Sequence, residues 1–411
     1  MSYHFLLTNQ YESNIIGASF YFTFGNKKII IEVFDMKKMF KKIAAVILSA
    51  AMLATCALSL TSCGGLFEEE SFKIGATGPL TEEAASYGIS VQNGAKLAVK
   101  HLNEKEGGVK FSFAILDDKA GAEDASTNYD TLYDAGMQFS LGGVTSGAGE
   151  AFAKKANTDK IFCMTPSGSA DPVITDLKYS FRLCFGDPDQ GALAAEEIKD
   201  GGFKNVGAIY DESDSYSAGI YAAFKDKMAE LEITYIETKF DKENNKDFST
   251  QAETLKDCDV VFMPFYYTEA SLFINKAVEK GSDAMFFGCD GFDGIADLVA
   301  DVENTIKYIT PFDAKSEEAN VKAFVEAYKA EYGATPDQFA ADAYDVVMVL
   351  AAALNKAGVT DYALSAAEIG DILYDTITSD SFSYDGLTGA DMTWDESGKC
   401  TKAPKIVTLG E

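Results

Sequence analysis

From Phe72 onward, short apolar runs of strand length alternate with stretches whose apolar residues recur at helical spacing. Strands are expected at 72–76, 110–116, 139–142 and 161–164, with a helix after each of the first three. In the first of those helices Val91, Ala95, Ala98 and Leu102 share one face. The alternation restarts at 179–185 and continues through 206–210, 233–239, 260–263, 285–289 and 306–311. Two strong helical patterns follow at 317–332 and 339–357, and residues 386–398 read as a hairpin. Strand–helix alternation with short loops implies parallel sheets covered on both faces. No low-complexity linker divides the two runs, so they are expected as two α/β units joined by close, multiple crossings.

Residues 1–62 are of another kind. Met36-Lys37-Lys38-Met39-Phe40-Lys41-Lys42 is basic, an apolar run rich in small residues fills 43–60, and Leu60-Thr61-Ser62-Cys63-Gly64 follows. That order is a secretory signal peptide at 36–62, and its ending resembles the lipobox of bacterial lipoproteins, with Cys63 as the lipidated first residue. The rival is an uncleaved anchor, since the apolar run is almost long enough to span a bilayer. Residues 1–35 precede any sensible signal start and read as a mis-start extension, with Met36 or Met39 as the true start. They are set aside from the fold.

The chain carries 64 acidic against 35 basic residues, a net charge of −29. A field of that sign repels nucleic acid and anionic lipid. Arg182 is the only arginine, and His101 is the only histidine after the signal. An arginine clamp on phosphate and a histidine metal cluster are thereby nearly excluded. Five cysteines remain beyond Cys63, and none are in CxxC spacing, so no zinc site or disulfide framework is expected. No cofactor is called for.

Ligands of open α/β sheets bind beyond the carboxyl ends of the strands. The loops there hold Ser146, Ser167 and Ser169 as neutral hydroxyls, Tyr87, Tyr216, Tyr266 and Tyr267 as aromatic walls, and Asp290 as an acid. Within Thr165-Pro166-Ser167-Gly168-Ser169 the small residues leave backbone N–H groups uncrowded, a cradle for a carboxylate. An acid suits an ammonium, and tyrosine rings suit an apolar or small side chain. Together they describe a site for an α-amino acid.

Ile74-Gly75-Ala76-Thr77-Gly78-Pro79 with Tyr87-Gly88, Thr165 to Ser169, Asp247-Phe248-Ser249-Thr250, and Leu387-Thr388-Gly389 with Trp394 occur in an order that resembles a known family. It is that of the substrate-binding lipoproteins of branched-chain (hydrophobic) amino acid ABC transporters, leucine-binding proteins of the type I periplasmic-binding-protein fold. The resemblance implies two Rossmann-like lobes joined by three crossing strands: lobe 1 over 71–186 and 311–404, lobe 2 over 187–310 and 405–411. It also implies that Val144-Thr145-Ser146 and Ser167-Gly168-Ser169 hold the ligand carboxylate. Tyr266 and Asp290 would meet the ammonium, and Tyr87, Tyr216 and Tyr344 would border the side chain. Two departures stand out. Asp290 replaces the family's longer Glu, and Ser167-Gly168-Ser169 stands where Ala-Ala-Thr is usual.

The chain is therefore expected to be no enzyme but an extracytoplasmic, membrane-anchored binding lipoprotein, a monomer that closes by a hinge on a free amino acid and docks on a permease. That amino acid should be apolar or small and neutral. One rival is a sensor domain for a separate signalling partner. Another is a surface serine hydrolase, which lacks a Gly-x-Ser-x-Gly elbow and has its one histidine in a helix away from the loops.

Overall fold

The structure, a computed structural model, describes residues 18–24, 27–33 and 65–409; the signal segment at 36–62 and Cys63 lie outside them. Strands β1 (Ala18–Phe24) and β2 (Lys27–Val33) pair antiparallel in the stretch that was set aside. Everything else belongs to a second unit beginning at Gly65.

That unit is built on two sheets. The first takes β3 (Phe72–Gly78), β4 (Phe111–Asp117), β5 (Phe139–Gly143), β6 (Phe162–Thr165) and β7 (Ser180–Arg182), all parallel, in the order β4-β3-β5-β6-β7. Helices α1 (Ala85–Asn103), α2 (Ala122–Asp134) and α3 (Ser146–Thr158) connect them. The second sheet alternates β8 (Val206–Asp211), β9 (Ile236–Phe240), β10 (Val260–Met263), β11 (Met285–Gly288) and β12 (Ile306–Thr310) with helices α4 (Asp187–Asp200), α5 (Ser215–Glu230), α6 (Ser249–Leu255) and α7 (Tyr267–Glu279). Its order, β9-β8-β10-β11-β12, repeats that of the first sheet, and antiparallel β13 (Lys405–Thr408) is added outside β12.

After β12 the chain returns to the first sheet with α8 (Ala319–Tyr332), α9 (Gln338–Lys356) and α10 (Ala366–Ile377). Val346, Leu350 and Leu354 of α9 pack with Val91, Ala95 and Ala98 of α1 against Ile74 and Phe139, all without solvent exposure. Each such Val or Leu contributes about 1.5–3 kcal/mol on burial. Helix α10 lies in a region that the periodicity left unassigned. Its start is nevertheless written in the sequence: Ser365 and Glu368 form a reciprocal capping box, with Ile369, Leu373 and Ile377 on the buried face.

The chain thus passes between the sheets three times: after β7, after β12 and before β13. The strands expected as crossings are themselves full members of one sheet or the other. The segment expected as one hairpin near 386–398 instead makes two isolated antiparallel bridges, Tyr384–Met392 and Trp394–Cys400. Buried Asp345 draws it inward by accepting bonds from the Leu387 and Thr388 amides at 2.9 and 3.0 Å. Cys163, Cys184, Cys258 and Cys289 are buried free thiols, and Cys400 is free and partly buried.

Candidate functional site

Sheets of this order have a topological switch point, where loops from neighbouring strands diverge and leave a crevice. In the first sheet it lies between β3 and β5, in the second between β8 and β10. The carboxyl-end loops of both sheets meet around one cavity.

Lobe 1 supplies hydroxyls and a helix terminus. Gly142, with φ +69°, lies where the register of β5 on β3 shifts by one residue near the strand's end, and Ser146 opens α3. The first N–H groups of a helix lack internal acceptors and favour an anion. The next loop is stitched to this one. Thr165 Oγ1 accepts from the Gly168 amide at 2.8 Å and donates to the Gly143 carbonyl at 3.0 Å. Ser167 Oγ donates to the Val144 carbonyl at 2.7 Å, which commits its proton. Ser146 Oγ accepts from the Ala170 amide at 3.2 Å, which leaves its own proton available. Thr145 Oγ1 and Ser169 Oγ are buried with no hydrogen-bond partner.

Lobe 2 supplies the acid. Asp290 follows β11 on a short 3-10 turn, and Oδ1 accepts from Tyr216 Oη at 2.6 Å and from Gln190 Nε2 at 3.0 Å. Oδ2 takes neither bond. Burial pushes the Asp290 carboxyl up to about 6, opposed by the bonds from Tyr216 and Gln190. Tyr216 is placed by the start of α5, where Asp214 caps the Ser217 amide at 3.0 Å. Its ring stacks on Tyr266 at 5.0 Å between centroids, with planes 5° apart. Burial raises the hydroxyl pKa of Tyr87, Tyr216 and Tyr266, so all three stay neutral.

The cavity between these groups is lined by eight of the residues expected from sequence: Tyr87, Val144, Thr145, Ser146, Ser167, Tyr216, Tyr266 and Asp290. Only about 10 Å3 is open to the centre of a water molecule, room for about one water. The lobes already touch across it. Tyr87 Oη donates to the Gly291 carbonyl at 2.5 Å and accepts from the Tyr267 amide at 3.2 Å. Tyr267 itself points out of the cavity, its hydroxyl donating to the Glu83 carbonyl at 2.9 Å. Beyond Tyr266, which walls both spaces, lies an outer hollow of about 600 Å3 edged by Glu82, Glu83, Glu150, Asp211, Asp214 and Glu269.

Three expected residues are not on the cavity wall. Gly168 and Ser169 curl behind it, because buried Arg182 donates to the Ser169 carbonyl at 2.7 Å. Tyr344 lies on another side of α9, with its Oη 2.9 Å from His101 Nδ1 and its ring edge-on to Phe324. Both Tyr344 and His101 line a separate hollow of about 340 Å3. The one histidine of the described residues therefore faces Tyr344 rather than the site serines.

Two residues join the wall instead: Gly291, and Phe339 at the start of α9, whose ring lies 4.3 Å from that of Tyr87. Helix α4 opens with Asp187-Pro188-Asp189 and a cap at Gly186. Asp189 makes that cap, accepting from the Gly186 amide at 3.0 Å. Asp187 is buried without a well-formed hydrogen bond to either carboxylate oxygen; burial, opposed by the neighbouring Ser169 hydroxyl and reinforced by Asp290, raises its pKa well above the usual carboxylate value.

Residues 71–402 match the family described as periplasmic binding protein. The chain belongs to that family. A leucine-, isoleucine-, valine-, threonine- and alanine-binding protein of Pseudomonas aeruginosa is 28% identical over 304 residues, 71% of this chain and 80% of that protein. A Leu/Ile/Val-binding protein homolog of Brucella abortus is 30% identical, over 69% of this chain and 78% of the relative. Among solved structures, a leucine binding protein of Thermotoga maritima matches with TM-score 0.73 and 26% identity, covering 81% of this chain and 94% of the other. The branched-chain amino acid transporter substrate binding protein of Streptococcus pneumoniae, solved with isoleucine, matches with TM-score 0.72 and 26% identity, covering 82% and 99%. The two-lobed type I fold is shared with them. Among the described residues, no helix of this family member is long and apolar enough to cross a membrane.

Proposed function

We propose that the protein is the extracytoplasmic substrate-binding lipoprotein of an ABC importer and that it takes a free amino acid, apolar or small and neutral, between its lobes. One observation carries the reading. Asp290 of lobe 2, with Oδ2 free of the bonds from Tyr216 and Gln190, borders the same small cavity as Ser146, Thr145 and the α3 N-terminus of lobe 1. An acid on one side and neutral donors on the other suit an ammonium and a carboxylate on one small molecule. Ser146, with its proton uncommitted, and Thr145, with no partner, are the main side-chain donors to the carboxylate. Ser167 and Gly168 shape the loop, while Ser169, Asp187 and Tyr344 stand outside the wall. Tyr87, Tyr216, Tyr266 and Phe339 border the ligand side chain. Relatives known as binding proteins for leucine, isoleucine, valine, threonine and alanine support the same ligand class.

The lobes divide at 71–186 with 311–404 and 187–310 with 405–411, and they close on the ligand about the three crossings. Cleavage after residue 62 leaves Cys63 to carry the lipid, and the closed monomer docks on a separate permease. Isothermal calorimetry with L-leucine, L-isoleucine, L-valine, L-alanine, L-threonine and their amides tests the reading. Free acids should bind and amides should not. Equal binding of an amide, or silence across the whole panel, would refute it.

A further inference from the structure

We propose that Gln338 is the positioning residue through which lobe 1 takes hold of the Asp290 turn, so that closure of the lobes and placement of that carboxylate are one event. The inference rests on reading the cleft as a ligand site that closes. Gln338 is the first residue of α9, 2% exposed, and it does not line the cavity. Its Nε2 donates to the Asp290 carbonyl at 2.6 Å, and its backbone N–H donates to Asp293 Oδ2 at 2.9 Å. An N–H at that position has no partner inside its own helix; here a carboxylate of the opposite lobe supplies one. Oε1 of Gln338 accepts from Thr310 Oγ1 at 3.3 Å, at the end of the crossing strand β12.

The next carbonyl along the turn, that of Gly291, accepts from Tyr87 of lobe 1. From the lobe 2 side, Gln190 Oε1 accepts the Asp290 amide at 3.1 Å while its Nε2 donates to the Asp290 carboxylate. Asp290 is thus gripped at its amide by one glutamine and at its carbonyl by another. The Gln190 bonds stay within lobe 2 and survive opening. Those from Gln338 and Tyr87 exist only while the lobes meet. Gln338 therefore reads whether the turn is in the place where its carboxylate faces the ligand, and it does so without touching the ligand.

The test uses the full chain with spin labels at exposed Glu123 of lobe 1 and Glu243 of lobe 2. Interlobe distances are recorded without ligand and with L-isoleucine. Gln338→Leu keeps the bulk and removes the hydrogen bonds of the side chain. It should lower the closed-to-open ratio about two- to tenfold, the worth of one neutral hydrogen bond. The dissociation rate of L-isoleucine should rise by a similar factor, with the order of preference among leucine, isoleucine and valine unchanged. Asp293→Ala removes the other contact and should act in the same direction, which keeps the test open if the first variant does not fold. Ser90→Ala is the control. It removes a 2.5 Å bond to Asp337 at the same helix end but within lobe 1, and should leave the ratio alone. A parental ratio in Gln338→Leu, or an equal loss in Ser90→Ala, overturns the proposal. If no amino acid shifts the distances, the amino-acid reading fails, while the ligand-free ratios still decide the role of Gln338.

Discussion

Replacing Asp290 by Asn should move affinity and stability in opposite directions. The carboxyl titrates at about 6 in the ligand-free protein because burial disfavours its charge. At pH 7 about nine-tenths of the molecules carry the charge, ready for an ammonium. Removing one member of a buried charge pair costs about 2–5 kcal/mol, so affinity should fall by about thirtyfold or more. Stability follows from the sign of the pKa shift. The folded value lies above the unfolded one, so no penalty exists below about pH 4, where both states are protonated, and the penalty is complete above about pH 6. At pH 7 it amounts to about 2–3 kcal/mol. Asp290→Asn should therefore raise the ligand-free melting temperature at pH 7 and leave it little changed at pH 4. Calorimetric titration with L-isoleucine and melting curves at the two pH values read both effects. Parental affinity in the variant would refute the ammonium assignment. A lower ligand-free melting temperature at pH 7 would refute the claim that this charge is held at a cost.

In the parent, affinity should drop up to about tenfold from pH 7 to pH 5 as free Asp290 takes up a proton, and Asp290→Asn should show no such slope; titrations across that range check it. Ser146→Ala should weaken amino acid binding by about 1.5–3 kcal/mol, the range for a bond to a charged group. Ser169→Ala, behind the wall, should cost distinctly less, and a calorimetric comparison ranks the two. Gly94→Ala would put a methyl 2.0 Å from the Ala340 carbonyl where α1 meets α9; urea denaturation should show a loss of about 1–3 kcal/mol. Cys63→Ser should leave the precursor unprocessed or release the protein from membranes, seen by mass spectrometry of the N-terminus and by fractionation.

The fold was legible because a parallel sheet covered on both faces demands apolar strands, and runs such as 260–263 and 285–289 hardly admit another reading. Asp290 was legible for a related reason: an acid directly after a buried strand must emerge at the loop end. Tyr344 was not. It and Phe339 are aromatics of one helix, five residues and so about 140° apart around the axis, and only the packing of α9 on α1 decides which faces the cavity. Gly168 and Ser169 were misplaced because Arg182, thirteen residues later, pulls their loop back. Gln190 and Gln338 carry no charge and sit far apart in sequence, so nothing local marked them. The Ser365/Glu368 box was a visible signal for α10 that the apolar periodicity did not bring out.

The pairing of β13 with β12 joins residues 405–408 to 307–310, with all of α8, α9 and α10 synthesised in between. Until β13 arrives, the outer edge of β12 offers its unpaired backbone to any passing strand. Lobe 2 therefore cannot finish folding as soon as its parallel strands are made. A chain moving through a narrow channel would emerge with that edge open while roughly a hundred further residues follow. Ile306 to Thr310 is thus a stretch that stays open to mispairing until β13 is made, and its end, Thr310, reaches Gln338 behind the cleft in the finished molecule.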